Sequence, residues 1–130
     1  MKIQESAENY LETILMLSET KHDVRSIDIA TEMEFTKPSV SVAMKKLREN
    51  GYIHMDTDGY ITLTESGKIV AERTYERHKF LSKFLTDIGV NHEVAAEDAC
   101  RIEHVISAES FEKLKTFVKM TSTELDNQVE

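Results

Sequence analysis

The stretch Thr36-Lys37-Pro38-Ser39-Val40-Ser41-Val42-Ala43-Met44-Lys45-Lys46-Leu47-Arg48-Glu49-Asn50-Gly51 decides how this chain folds. Thr36 is a suitable N-cap, Pro38 is tolerated in a first helical turn, and Asn50-Gly51 ends a helix. Between these signals Val40, Ala43, Met44 and Leu47 recur at helical spacing and supply an inner face. Lys37, Ser39, Ser41, Lys45 and Lys46 are left largely outward.

Upstream, Val24 to Met33 reads as a second short helix, capped by Ser26, with Ile27, Ile29, Ala30 and Met33 facing inward. Only Glu34-Phe35-Thr36 separates the two. Downstream, Tyr52 to Asp56 is expected to pair with Tyr60 to Leu63 across Thr57-Asp58-Gly59, where Asp-Gly is a strong hairpin signal. Helix pairs and hairpins are each common, but this order is much less so by chance. Two short helices, a tight turn, an outward face of lysine and serine, and a hairpin directly after it together spell a winged helix-turn-helix. The wing carries Asp56 and Asp58, so it contributes little affinity for phosphate.

Further out, residues 6–20 read as a helix capped by Ser6, with an apolar stripe of Tyr10, Leu11, Ile14, Leu15 and Leu17. Asn9, Glu12 and Met16 lie on another side of that wheel, and Glu8 borders them. From Thr64, a good cap, a long helix is expected to about Asp87, grouping Ala71, Thr74, Leu81 and Leu85 around His78. A further helix begins near Glu93. A last one begins at Ser107 or Ser110 and contains Phe111, Leu114, Phe117 and Val118. The expected architecture is mainly α with a small β-wing: a winged helix-turn-helix DNA-binding domain at 1–72, a helical metal-binding and dimerisation domain at 73–120, and a flexible polar tail at 121–130.

Composition bounds the function. A chain of 130 residues, 40% of them hydrophobic, can bury one modest core plus an extension that gains its own by oligomerising. Ile102, Val105, Ile106, Phe111, Leu114 and Phe117 exceed what a two-helix extension buries unaided, so a homodimer is expected. There is no apolar run of membrane-spanning length and no signal-peptide pattern at the N-terminus, which implies a cytoplasmic protein. The net charge of −8 argues against indiscriminate nucleic-acid binding. Between Thr36 and Asn50, however, Lys37, Lys45, Lys46 and Arg48 are opposed only by Glu49. One basic segment stands on an acidic body.

The chemistry gathers at Cys100-Arg101-Ile102-Glu103-His104. On a helix, positions i, i+3 and i+4 share a face, so Cys100, Glu103 and His104 project together. Val94, Ile102, Val105 and Ile106 fall on the opposite side and already supply a core-facing stripe. The alternative is a core cysteine beside two surface polar residues. Sulfur, carboxylate and imidazole together suit a divalent transition metal far better than magnesium or calcium. Glu12 is a candidate for a missing ligand, and His78 can reach the patch across Gly89-Val90-Asn91. His22, His54 and His92 read as surface residues, and Met16, Met33, Met44 and Met55 as packing.

Glu8-Asn9-Tyr10-Leu11-Glu12, Thr36-Lys37-Pro38-Ser39-Val40-Ser41, Glu76-Arg77-His78 and above all Glu97-Asp98-Ala99-Cys100-Arg101-Ile102-Glu103-His104 make the chain resemble a known family. This is the diphtheria-toxin-repressor family of metalloregulators, which includes the manganese transport regulators, and the resemblance runs from Ser6 to Phe117. It implies a homodimer that binds Fe(II) or Mn(II) and represses genes for metal uptake from a pseudo-palindromic operator in double-stranded DNA. The ligands it implies are Glu12, His78, Cys100, Glu103 and His104. Asn9 stands where the family has Asp or Met, and its amide oxygen coordinates more weakly than a carboxylate. The set is a hybrid, similar to the iron branch at Cys100 and to the manganese branch at Glu12. Zinc, cobalt or nickel would also bind such donors in vitro. Ser82 and Ala96 stand where the iron branch has ligands for an ancillary metal, so that second site is expected to be absent or rebuilt. The SH3-like domain of longer members is expected to be missing too. On the DNA side the implied contacts are Thr36, Lys37, Pro38, Ser39, Ser41, Lys45 and Lys46.

Neither a membrane nor a small-molecule substrate is expected as a partner. An enzyme is not expected either, since there is no His-Glu-x-x-His pattern, nucleophile elbow or glycine-rich phosphate loop. The alternative within the same fold is a winged-helix regulator that senses redox state through Cys100, its thiol acidified by Arg101 and His104 against the opposing effect of Glu103.

Overall fold

Capping chemistry and apolar spacing set the element order α1 (Glu5–Thr20), α2 (Ser26–Met33), α3 (Lys37–Glu49), β1 (Ile53–Met55), β2 (Ile61–Leu63), α4 (Glu65–Asp87), α5 (His92–Ile102) and α6 (Ala108–Val129). The computed structural model describes residues 5–21 and 23–129, and side chains as far as Thr121. His22 lies outside the described residues. The chain divides within α4 into two compact units, Met1–Glu76 and Arg77–Glu130.

In the first unit one core joins α1 through Tyr10, Leu11 and Ile14, α2 through Ile29 and Ala30, α3 through Val40, Met44 and Leu47, and the wing through Ile53 and Ile61. The α3 cap is as expected: the Thr36 hydroxyl accepts from the Ser39 N–H at 3.3 Å, and Pro38 sits in the first turn. Gly51 follows at φ +79°, a left-handed conformation that glycine adopts without strain. Thr64 caps α4 by accepting from the Gly67 N–H at 3.1 Å.

The wing is antiparallel, with Ile53 opposite Leu63, His54 opposite Thr62 and Met55 opposite Ile61. Tyr52 and Tyr60 fall outside the paired strands. The Asp56 carboxylate takes over at the turn, accepting from the N–H groups of Asp58 and Tyr60 at 2.9 Å each.

Several expectations are corrected. Val24 is no part of α2; it forms an isolated bridge to Ile61, whose N–H donates to the Val24 carbonyl at 2.7 Å. A β-branched residue satisfies its backbone better there than as a helix N-terminus. Arg25, not Ser26, occupies the N-cap, and the Asp28 carboxylate closes the turn by accepting from the Arg25 N–H at 2.9 Å. Ser6 lies inside α1 rather than capping it. Ile27 and Met16 are exposed, because the core is already filled by Ile29, Ala30 and Ile14.

The second unit packs around Leu81, Ala95, Ala99 and Phe111, all buried. Phe80 meets the Phe111 ring edge-on at 5.4 Å and stacks on Phe84 at 6.3 Å, a favourable aromatic arrangement. The face of α5 that packs is therefore Ala95 and Ala99, whereas Val94 and Val105 are exposed. Small alanines let helices approach closely, so the bulkier valines are turned away. Ser107 caps α6 by accepting from the Ser110 N–H at 3.0 Å, and helix continues to Val129 through the segment expected as a tail. Phe111 is buried inside the unit, which removes it from the surface expected to meet a second subunit.

Candidate metal centre

The α5 sequence sets the site's local frame. Asn91 caps the helix by accepting from Glu93 and Val94, and the last helical residue is Ile102. Glu103 is thus the C-cap, and its N–H still donates to the Ala99 carbonyl at 2.9 Å. Helical register is kept just far enough to hold Cys100 and Glu103 on one face. The chain then turns, with the N–H groups of Val105 and Ile106 both donating to the Ile102 carbonyl at 3.0 Å.

That turn brings His104 back beside Glu103. One donor atom from each of Cys100, Glu103 and His104 lies within 4.8 Å of the others. Donors around a first-row divalent ion, with bonds of about 2.0–2.3 Å, stand roughly 3–4.5 Å apart, so this spacing fits such an ion. Soft sulfur beside imidazole and carboxylate selects a transition metal over magnesium or calcium.

The Glu103 side chain is only 1% exposed, so its carboxylate needs partners. His78 on α4 supplies one, with Nδ1 at 2.8 Å from Glu103 Oε2, and His104 Nε2 approaches Oε1 at 3.3 Å. Arg77, one residue earlier on α4, donates from Nη1 to the carbonyls of Glu103 at 3.2 Å and Ile106 at 2.9 Å. A guanidinium at the C-terminal end of α5 meets carbonyls beyond the helical ladder and the negative end of the helix dipole. Arg77 also lies over the Phe111 ring at 5.5 Å. One arginine therefore fixes the turn that carries Glu103 and His104.

Within the second unit the structure brings together His78, Cys100, Glu103 and His104. Arg77 is the residue whose role the sequence did not reveal, although its place beside His78 was a signal. Glu12 belongs to the first unit, where it stands on α1 at 7% exposure, one turn beyond Glu8. Glu8 is equally buried and is held by the Thr74 hydroxyl at 3.3 Å and Arg73 at 3.8 Å, which marks it as a structural carboxylate. Asn9 is partly buried, and its carbonyl accepts from the Thr13 hydroxyl at 2.8 Å. Thr36, Lys37, Pro38, Ser39, Ser41, Lys45 and Lys46 are all exposed at and along α3, and His54 and His92 are exposed as expected. No described helix is long and apolar enough to cross a membrane.

A winged-helix module followed by a helical module with a clustered sulfur, nitrogen and oxygen donor set defines a metal-dependent transcriptional regulator. The chain belongs to the iron-dependent repressor family. Residues 2–61 match that family's N-terminal DNA-binding domain, and residues 64–128 match its metal-binding and dimerisation domain. An uncharacterised HTH-type transcriptional regulator of Methanocaldococcus jannaschii is 33% identical over 119 residues, which cover 90% of this chain and 95% of that one. The transcriptional regulator MntR of Bacillus subtilis is 34% identical, over 88% of this chain and 80% of that one. Among solved structures, the manganese regulator SloR superposes with a TM-score of 0.78 at 29% identity, over 92% of this chain and 55% of that one. ScaR with bound Zn2+ gives 0.73 at 27%, over 87% and 53%. The chain spans about half the length of these two structures.

Proposed function

We propose that the chain represses genes for uptake of Mn(II) or Fe(II) and is switched on by that same ion. Its ligands are Cys100, Glu103, His104, His78 and Glu12, with Asn9 as a weaker donor. The observation that carries this reading is the approach of the Cys100, Glu103 and His104 donors to within 4.8 Å of one another, with His78 against the same carboxylate. The place of Glu12 rests on its residue-by-residue match to the family and on its burial on α1. The likeness to the manganese regulator SloR supports the choice of metal, and that to ScaR with bound Zn2+ supports the capacity to take zinc.

When bound, a divalent cation supplies the positive charge that buried carboxylates need from a partner. Without that charge Glu12 and Glu103 repel one another. Glu12 stands on the helix whose Leu11 and Ile14 share a core with Met44 and Leu47 of α3, so restraint of α1 is passed to the recognition helix by packing. Val105 and Phe117, 77% and 65% exposed in the second unit, offer apolar surface to a second subunit. Two recognition helices about 34 Å apart then enter successive major grooves. Metal and DNA bind cooperatively in both directions, by linkage.

The test is a DNA-binding titration of the full chain against Mn(II), Fe(II) and Zn(II), run beside Cys100→Ala and Glu12→Ala. Affinity is expected to rise with metal and to fall in both variants. Equal binding by chelator-stripped protein overturns the proposal.

A further inference from the structure

Val42 is 56% exposed, although it is a β-branched aliphatic residue in the middle of α3. Two residues past buried Val40, at about 100° per residue, it points almost directly away from the core. Its neighbours on that face are Pro38 one turn earlier and Lys45 and Lys46 one turn later, all exposed. The centre of the outward face is thus apolar, flanked by cations that complement phosphates and by the hydroxyls of Ser39 and Ser41. A single exposed valine elsewhere would need no explanation. This one lies where α3, taken as the recognition helix, meets the floor of the groove.

We infer that Val42 reads thymine, packing its isopropyl group against the C5-methyl of a thymine in the major groove of each operator half-site. The thymine methyl is the apolar mark among the base edges there, and valine has neither donor nor acceptor with which to read anything else. Helical Val is confined largely to one χ1 rotamer, so its methyls are placed before DNA arrives and little side-chain entropy is lost on contact. Burying one methyl group corresponds to about a fourfold gain in affinity. Val42 therefore adds discrimination rather than bulk affinity, which remains with the lysines.

This inference rests on α3 entering the major groove, and the experiment separates the two. Duplexes enriched from a random-sequence pool by the Mn(II)-loaded full chain are resynthesised with each thymine replaced in turn by deoxyuridine, which removes the methyl and keeps every hydrogen-bonding group. For the native chain, at least one position per half-site is expected to lose about fourfold in affinity. Val42→Ala is expected to bind the thymine and uracil duplexes equally, and Val42→Thr to retain part of the difference. Lys45→Ala is expected to weaken both duplexes alike. Because Val42 is exposed, thermal melts of its variants should not fall below the native chain, with Val42→Ala gaining slightly from helix propensity, which ties any loss of discrimination to recognition. If Val42→Ala keeps the full uracil penalty, or if no thymine is methyl-sensitive while binding persists, Val42 does not read thymine and the DNA-binding reading survives. If no sequence is enriched with Mn(II), the placement of α3 fails and this inference falls with it.

Discussion

His78 and Glu103, on α4 and at the end of α5, meet at 2.8 Å between Nδ1 and Oε2, and the carboxylate they share is 1% exposed. A buried carboxylate held by one imidazole and approached by a second is oriented before any ion arrives. Such preorganisation removes part of the ordering cost of coordination.

Replacing either member should therefore cost more than an outer-shell change. His78→Ala and Glu103→Gln are expected to lower Mn(II) affinity by more than the roughly 10–100-fold that loss of a second-shell partner brings. Isothermal titration with Mn(II) checks this. Affinity unchanged within twofold in both variants would exclude these residues as ligands.

Arg77 holds the α5–α6 turn by two hydrogen bonds to carbonyls. Hydrogen bonds made by charged groups contribute about 1.5–3 kcal/mol each, so Arg77→Ala should lower stability by at least that range and loosen the Glu103 and His104 donors. Arg77→Lys, a point charge in place of a fork, should recover only part. Denaturant unfolding gives the first quantity and Mn(II) affinity the second.

Asp28 closes the first turn of α2. Its carboxyl is held below the usual carboxylate range first by the hydrogen bond from Lys21 and then by the hydrogen bond from the Arg25 backbone; burial opposes them, and the charges of Lys21 and Arg25 add smaller effects in the same direction as the hydrogen bonds. A depressed pKa stabilises the fold above the unfolded pKa of about 3.9, and that contribution is lost as pH falls through the lower folded value. Asp28→Asn, which keeps an oxygen acceptor and loses the charge in the first turn of α2, is expected to cost about 0.3–1 kcal/mol at pH 7. Urea melts from pH 7 down to pH 2.5 should show the gap between native and variant closing in acid. A gap that stays constant to pH 2.5 would show that the charge is not what stabilises.

Gly67 approaches the wing so closely that an added Cβ would collide with the carbonyl oxygen of Tyr52. That oxygen is backbone and accepts from the Thr64 N–H at 3.0 Å, so it cannot swing aside. Gly67→Ala should destabilise by about 1–3 kcal/mol through overpacking, despite its better helix propensity. A thermal melt that rose instead would place the strand–helix junction differently.

Lys45 and Lys46 are exposed on α3. Removing one phosphate contact should reduce the magnitude of the log-affinity against log-salt slope by about 0.9 or less. A filter-binding series from 50 to 200 mM salt, with Lys45→Ala and Lys46→Ala, reads this directly.

Local signals were enough for most of the fold. Thr36, Pro38 and Gly51 punctuate α3, Thr64 opens α4 and Asp-Gly turns the wing, because capping and turn chemistry act over a few residues and can be read from a few residues. Periodicity also placed Cys100, Glu103 and His104 on one face, since a helical wheel needs only spacing. It erred where packing partners decide. Val24 reads as helical because nothing nearby announces Ile61 as its bridge partner. The core-facing stripe reads as Val94, Ile102, Val105 and Ile106 because a wheel counts hydrophobicity and cannot see that the small Ala95 and Ala99 make the close approach.

By itself, the sequence determined that there would be a winged helix-turn-helix, a basic outward face on its third helix, and a thiol, a carboxylate and an imidazole within one turn of each other. Only tertiary structure decided that His78 closes on Glu103, that Arg77 grips the turn behind it, and that α5 stops at Ile102 so that His104 swings into the cluster. The physical reason is range. Caps and periodicity are set by neighbours along the chain, whereas a buried carboxylate is satisfied by whatever distant residue the packing delivers to it.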